Sequence, residues 1–219
     1  MTGTVAFIVK GGPLVAVIVI LSVISISIFI ERYWVMRIAA GRIRFSVYFE
    51  KIKELVKKGD IKGIEELAKE QRGIYGRVIQ ILVDKYKLLS GKVEWVAVKD
   101  NLNETMHEEL AIESSLLDRN LIVMATIGSI ANLIGLLGTV EGMIRSFAAL
   151  SMVGASASVA SQQLAIGIAE ALVNAAGGLI VAISAVIFHA YFTSRIDLFS
   201  FNIEGVSKEF ITGVIATYR

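Results

Sequence analysis

Glu170 is the residue whose type and setting most demand a chemical explanation. It is the one acidic residue between Leu164 and Ser194, a run otherwise uncharged apart from the titratable His189. A carboxylate inside a stretch long enough to cross a bilayer is costly, and it marks an ion path, a proton relay or a buried partner. Two readings of it stand side by side. It can face a polar interior shared by several helices, or it can lie near the outer interface and pair with Arg145. Thr139, Asn132 and Asn174 pose the same choice. A hydroxyl or carboxamide can solvate an ion, or it can hydrogen-bond a neighbouring helix. Glu141 and Arg145 are four apart, which suits an interfacial pair along a helix. His107 and His189 are too few and too far apart in sequence to suggest a metal site, and no nucleotide loop, serine elbow or zincin motif is present. Nothing points to an enzyme, a catalytic residue, a metal or a cofactor.

These groups need helices to hold them. Leu121 to Val140 carries no charge over twenty residues, about the length that spans a hydrocarbon core. Gly128, Asn132, Gly135, Thr139, Gly142 and Ser146 recur every three or four residues, so they share one helix face. Gly167, Glu170, Asn174, Gly177, Val181 and Ser184 do the same further on. Small residues of this kind let membrane helices approach closely. The expected packing residues are Gly128, Gly135, Gly142, Gly167, Gly177 and Gly178. The expected ion-path residues are Thr139, Glu170, Asn174 and Asn132.

Composition sets the class. Of 219 residues, 55% are hydrophobic, the mean hydropathy is +0.67, and the apolar residues fall in long runs. The chain reads as an all-α integral membrane protein with three transmembrane helices and long cytoplasmic helical extensions. A net charge of +2 gives no general basic field for nucleic acid, and the absence of cysteine excludes disulfides and thiolate chemistry. Pro13 to Ile30 is the first uncharged run. Basic residues follow it and no small-x-small cleavage site is evident, so it is expected to be a retained span rather than a signal peptide. Residues 1–34 then form an outer N-terminus and first span, with Tyr33 and Trp34 as interfacial anchors.

Residues 35–120 are the expected cytoplasmic helical domain. Between Glu31 and Arg119 lie 17 of the 22 Lys and Arg residues. The Lys57–Asp60 stretch, KKGD, reads as a turn between two helices. Ile74, Val78, Ile81, Leu82 and Tyr86 form an apolar stripe, and Leu102, Met106, Leu110 and Leu117 form another. The spacing predicts one unbroken helix from about Glu94 to Phe147. The second span is 121–147, an outer loop 148–163, the third span 164–194, and an amphipathic C-terminal helix 195–219, with Ile196, Phe199, Ile203, Val206, Phe210 and Ile211 on its apolar side. The loop at 148–163 has no Lys or Arg, so the positive-inside rule puts the large charged segment in the cytoplasm. The N-terminus is then outside and the C-terminus inside, in agreement with Arg195, Lys208 and Arg219.

Two stretches resemble a known family. GLLGTVEGMIRSF (Gly135 to Phe147) is similar to the signature of the ExbB/TolQ/MotA membrane proteins. GIAEALVNAAGGLIVAISA (Gly167 to Ala185) is similar to the third-span signature of the ExbB and TolQ branch. Ile30–Arg32 and the KKGD turn fit as well. The resemblance implies a subunit of a proton-motive-force-driven motor in the bacterial cytoplasmic membrane. It implies a homopentamer whose pore holds a dimer of single-span ExbD- or TolR-like proteins, with work passed on through a TonB- or TolA-like protein. It also implies that Thr139 and Glu170 line the path for a carboxylate on the partner. The family's span-three threonine is Ala175 here, beside Asn174. The proline before GLLGTV is absent, and the later proline is Ser184. The alternatives are a non-conducting helical membrane scaffold and a MotA-type stator subunit, for which the resemblance would require a fourth span.

Overall fold

The helix boundaries follow from the few residues that cannot continue a helix. The computed structural model describes residues 12–150 and 157–217. The expected N-terminal segment before Gly12, the middle of the 148–163 loop and the terminal Tyr218 and Arg219 lie outside the described residues. Among the described residues there are helices and no strand: α1 (Gly12–Ala39), α2 (Phe45–Lys57), α3 (Ile61–Gln71), α4 (Ile74–Leu89), α5 (Trp95–Asp118), α6 (Leu121–Leu150) and α7 (Ala157–Thr217). Three stretches are long and apolar enough to cross a membrane, beginning in α1, α5–α6 and α7. The chain is a multi-pass membrane protein.

The single helix expected from Glu94 to Phe147 is interrupted. α5 ends at Asp118, Arg119 is extended (φ −50°, ψ 134°), and Asn120 has φ 68°. Asparagine enters this left-handed region more readily than most side chains, and it commonly ends helices there. α6 restarts at once, with Met124 N–H donating to Asn120 O at 3.3 Å. α1 runs past the uncharged run that ends at Ile30, and past the expected boundary at residue 34, to Ala39, because no breaker occurs before Gly41, whose φ is +75°. α6 reaches Leu150 and α7 begins at Ala157, so helix occupies both ends of the expected 148–163 connection. The alanines there favour it.

Two compact units divide the chain. One contains the described residues up to Ile30 and those from Asn120 to Tyr191; the other contains Glu31–Arg119 and the stretch from Phe192. In the first, α6 packs against the apolar part of α7, and Phe29 of α1 meets Phe188 with ring centroids 4.3 Å apart. Most of its large apolar side chains, such as Leu136, Leu172 and Ile180, remain exposed, as surface facing lipid or a neighbouring helix must be.

The second unit has a conventional apolar core. Ile74, Val78, Leu82 and Tyr86 of the expected α4 stripe are buried, and Ile81 is half-buried. Ile203, Val206 and Phe210 of the C-terminal stretch are buried too. The KKGD turn forms as read: Gly59 has φ +66°, and Asp60 caps α3 by accepting from Gly63 N at 3.0 Å. Lys69 and then Lys87 donate to Glu65, tying α3 to α4 and holding that carboxyl down at about 2.

Gln71 is the buried polar pivot of this unit. Its Nε2 donates to Ala40 O and Ile43 O at 3.2 and 3.0 Å, and its Oε1 accepts from Ile43 N at 2.8 Å. Its own carbonyl accepts from Arg42 N at 2.9 Å. One fully buried side chain thus fixes the loop that follows α1. Replacing it by Leu removes three hydrogen bonds to a partly hydrated loop. Gln71→Leu is expected to destabilise the unit by about 2 kcal/mol and to speed amide hydrogen exchange at residues 41–44 at least tenfold. Unchanged exchange there would refute the pivot.

Candidate functional site

α6 and the first half of α7 run antiparallel, and their backbones approach where side chains are missing. A Cβ built on Gly178 would lie 2.6 Å from Ala131 O and 2.8 Å from Gly135 Cα; one built on Gly142 would lie 2.8 Å from Gly167 O. Real Cβ atoms do not come so close to a backbone, so these glycines set the interhelical distance. At one end of the seam Gly128 has looser neighbours, 3.4 Å or more away. At the other, Ser146 is fully buried. Its hydroxyl contacts Gly142 O at 2.9 Å and Leu164 O at 3.3 Å, which stitches the two helices with one side chain. Gly177 is buried as well.

Asn174 sits inside this seam. It is 2% exposed, its Nδ2 donates to Glu170 O at 3.1 Å, and its Cβ occupies the space over Gly138, where an added Cβ would be 2.4 Å away. Gly138 lies in the IleGlyLeuLeuGlyThr stretch, whose two glycines read as packing, but it is not among the six packing glycines expected above. The seam thus uses the small residue directly before the polar Thr139. The same offset occurs at Ala131, which is fully buried, while Asn132 beside it is exposed.

Thr139 therefore lies on the flank of the seam. It is half-buried, its hydroxyl donates to Leu136 O at 2.6 Å, and it opens a shallow groove with Val140, Met143, Ile144 and Phe147. The last four are exposed apolar side chains. A hydroxyl bonded to its own helix keeps a lone pair for an incoming acid proton, and it can rotate to donate to a carboxylate.

Glu170 is paired. Arg145 Nη1 donates to both of its carboxylate oxygens, at 3.0 and 3.2 Å, and Arg145 Nη2 donates to Glu141. Three charges from α6 and α7 thus form one chain of contacts with two negative members and one positive. The Glu170 side chain is 15% exposed and that of Arg145 48%. The carboxylate also lies against the first residue of α1: a Cβ on Gly12 would be 2.2 Å from Glu170 Oε1, and Gly12 has φ +68°. The positive end of a helix is a favourable neighbour for a carboxylate. Thr139, Asn174 and Glu170 occupy successive levels of the α6–α7 pair, whereas Asn132 lies away from the seam.

A family model described as the MotA/TolQ/ExbB proton channel family matches residues 77–204. The chain is 30% identical over 181 residues to the ExbB-like 1 biopolymer transport protein of Synechocystis sp., covering 81% of this chain and 66% of that protein. It is 26% identical over 193 residues to the biopolymer transport protein ExbB of Pseudomonas putida, covering 87% and 55%. It is 38% identical over 102 residues to the Tol-Pal system protein TolQ of Pseudomonas aeruginosa, covering 47% and 43%. The chain thus spans about two thirds of the first of these and about half or less of the other two.

Proposed function

Because the chain belongs to the MotA/TolQ/ExbB proton channel family, we propose that it is the ExbB/TolQ-like subunit of an energy-transducing motor in the bacterial cytoplasmic membrane. In this reading it forms a homopentamer, with its N-terminus outside and its C-terminus in the cytoplasm. The pore holds a dimer of single-span ExbD- or TolR-like subunits, and proton flow through it drives work on the cell envelope by way of a TonB- or TolA-like protein. The observation that carries the reading is the position of Thr139. The packing of α6 on α7 consumes the glycines and Asn174 and leaves the Thr139 hydroxyl on an open, otherwise apolar groove. A partner helix seated there would bring its carboxylate to a hydroxyl in a low-dielectric setting, where each hydrogen bond counts for more than in water.

The geometry supports the following division of labour in this reading. Thr139 solvates the partner's carboxyl group in both of its protonation states. Asn174 and the glycines hold α6 and α7 at the spacing that keeps the groove open. Glu170, braced by Arg145, presents a fixed negative charge near the outer end of the path and raises the local concentration of cations there. A membrane potential is worth about 2.3 kcal/mol per charge per 100 mV, so a few protons per cycle suffice for mechanical work.

The competing reading is a non-conducting scaffold. It draws on the same seam, since Gly128, Gly135, Gly142 and Ser146 of the α6 stripe are all buried in packing. Proton flux into liposomes containing this chain and its single-span partner separates the two. Flux is expected only with both subunits present, and Thr139→Ala is expected to lower it about tenfold, the loss of one hydrogen bond to a charged group. Partner-dependent flux that is undiminished in Thr139→Ala would remove the hydroxyl from the path. No flux with any partner would leave the scaffold.

A further inference from the structure

We infer that Asn132 is a register pin for the partner helix. Its carboxamide pairs with an uncharged hydrogen-bonding side chain that the partner carries two turns to the cytoplasmic side of its carboxylate, so that the carboxylate stops at Thr139. This rests on the reading of the Thr139 groove as the partner's seat. The other polar side chains of α6 are all bonded within the first unit. Thr126, Ser129 and Thr139 donate to carbonyls of their own helix at 2.7, 3.3 and 2.6 Å. Ser146 contacts Gly142 O and Leu164 O, and Glu141 and Arg145 belong to the chain of charges that ends at Glu170. Asn132 is the exception. It is exposed, and among the described residues none hydrogen-bonds to its side chain.

Its depth makes that exposure costly. Asn132 is twelfth in the twenty-residue uncharged run that begins at Leu121. That places it about 16 Å along the helix axis, near the middle of a hydrocarbon core of about 30 Å. A carboxamide has donors and an acceptor that lipid cannot satisfy, so its surface calls for a hydrogen-bonding group on another helix. Spacing says which helix. Asn132, Leu136, Thr139 and Met143 recur at four, three and four residues, the repeat along which one helix follows another in a knobs-into-holes seam. Leu136 and Met143 are exposed, and Met143 also lines the Thr139 groove. A helix seated on Thr139 therefore runs over Asn132 two turns away. One polar residue in an otherwise apolar seam fixes register, at a cost in stability. A slip of one turn would carry the partner's carboxylate about 5 Å from its place at the Thr139 hydroxyl, beyond hydrogen-bond reach. Register is what the conducting site needs held.

The chain has no cysteine, so Leu136→Cys supplies a single thiol between Asn132 and Thr139. The probe is a designed single-span helix of leucine and alanine, co-expressed with the full chain. It bears one aspartate and, two turns to the cytoplasmic side, one asparagine, with lysines at one end to set its orientation. One version has its cysteine at the depth of Leu136 when the aspartate is level with Thr139; another has it one turn displaced. A disulfide needs Cα atoms within about 7 Å, so the ratio of the two yields after mild oxidation reads the register. The in-register disulfide is expected to dominate. Asn132→Leu in the chain, or leucine for asparagine in the probe, is expected to lower the ratio about fivefold, the weight of one interhelical hydrogen bond. Asn132→Gln is expected to keep most of it. Asn132 is exposed, so these variants leave the glycine seam intact. An unchanged ratio in Asn132→Leu overturns the pin and leaves the Thr139 groove standing. Parallel loss of both disulfides in that variant makes Asn132 a contact without a role in register and overturns the pin too. No disulfide with either version of the probe removes the groove reading and the pin together. Disulfides between two copies of the Leu136→Cys chain that the probe does not suppress put a second copy on this face, and the assignment to a partner helix fails.

Discussion

Gly178→Val is expected to abolish the native α6–α7 seam. The added Cβ alone would stand 2.6 Å from Ala131 O, 2.8 Å from Gly135 Cα and 3.1 Å from Gly135 N. All three are backbone atoms, so no rotamer change relieves the clash. The helices must separate, and separation forfeits dispersion contacts along the whole seam. Overpacking a well-packed site costs about 1–3 kcal/mol, and more where the neighbour cannot yield. Here the loss is expected to exceed about 3 kcal/mol, seen as a collapse in the yield of folded protein from detergent and a depressed melting temperature. Gly128→Ala is the internal control. Its nearest neighbours are 3.4–3.5 Å away, an ordinary van der Waals contact, and alanine improves helix propensity. It is expected to be neutral or slightly stabilising. Equal behaviour of the two variants would mean that the seam is not where the helices are held.

The second large effect is expected at Arg145. Arg145→Gln leaves Glu170 and Glu141 without their shared cation, and Glu170 is too covered for water to substitute fully. Stripping one partner from a buried pair costs about 3–5 kcal/mol. Because Arg145 is half-exposed, about 2 kcal/mol is the better expectation here. Glu170→Gln leaves Arg145 with Glu141 and should cost less. The double variant Arg145→Gln/Glu170→Gln removes the charge and its brace together, so it should be more stable than Arg145→Gln alone. A coupling of about 1–2 kcal/mol in this cycle marks a direct interaction, and strict additivity would dissolve the pair. Reconstituted with the single-span partner, Glu170→Gln and the double variant should conduct alike if the carboxylate acts by its charge alone.

The fold was legible wherever a pattern had one physical cause. Long uncharged runs, the Asp60 cap and the buried faces of α4 and the C-terminal stretch could be read from spacing. The break at Asn120 could not, because a single asparagine between a charged helix and an apolar one is compatible with continuity. The site was legible to within one residue. Reading polarity as the guide put Asn132 and Thr139 on the same face as the glycines, whereas close packing selects the smallest groups, and those are their neighbours Ala131 and Gly138. Spacing also left two readings of Glu170 open, and the ion pair with Arg145 was visible as a possibility only because the charges in that region are so few.

The glycine seam has one more consequence, which concerns rotamers. Most helix interfaces freeze side chains that were free to turn, and ordering them opposes association by up to about 2 kcal/mol for the longest side chains. Where Gly135, Gly142, Gly167 and Gly178 meet, there is almost nothing to freeze and nothing that can swing aside. The seam therefore cannot adapt by repacking: under load, α6 and α7 move together as one piece, or they come apart.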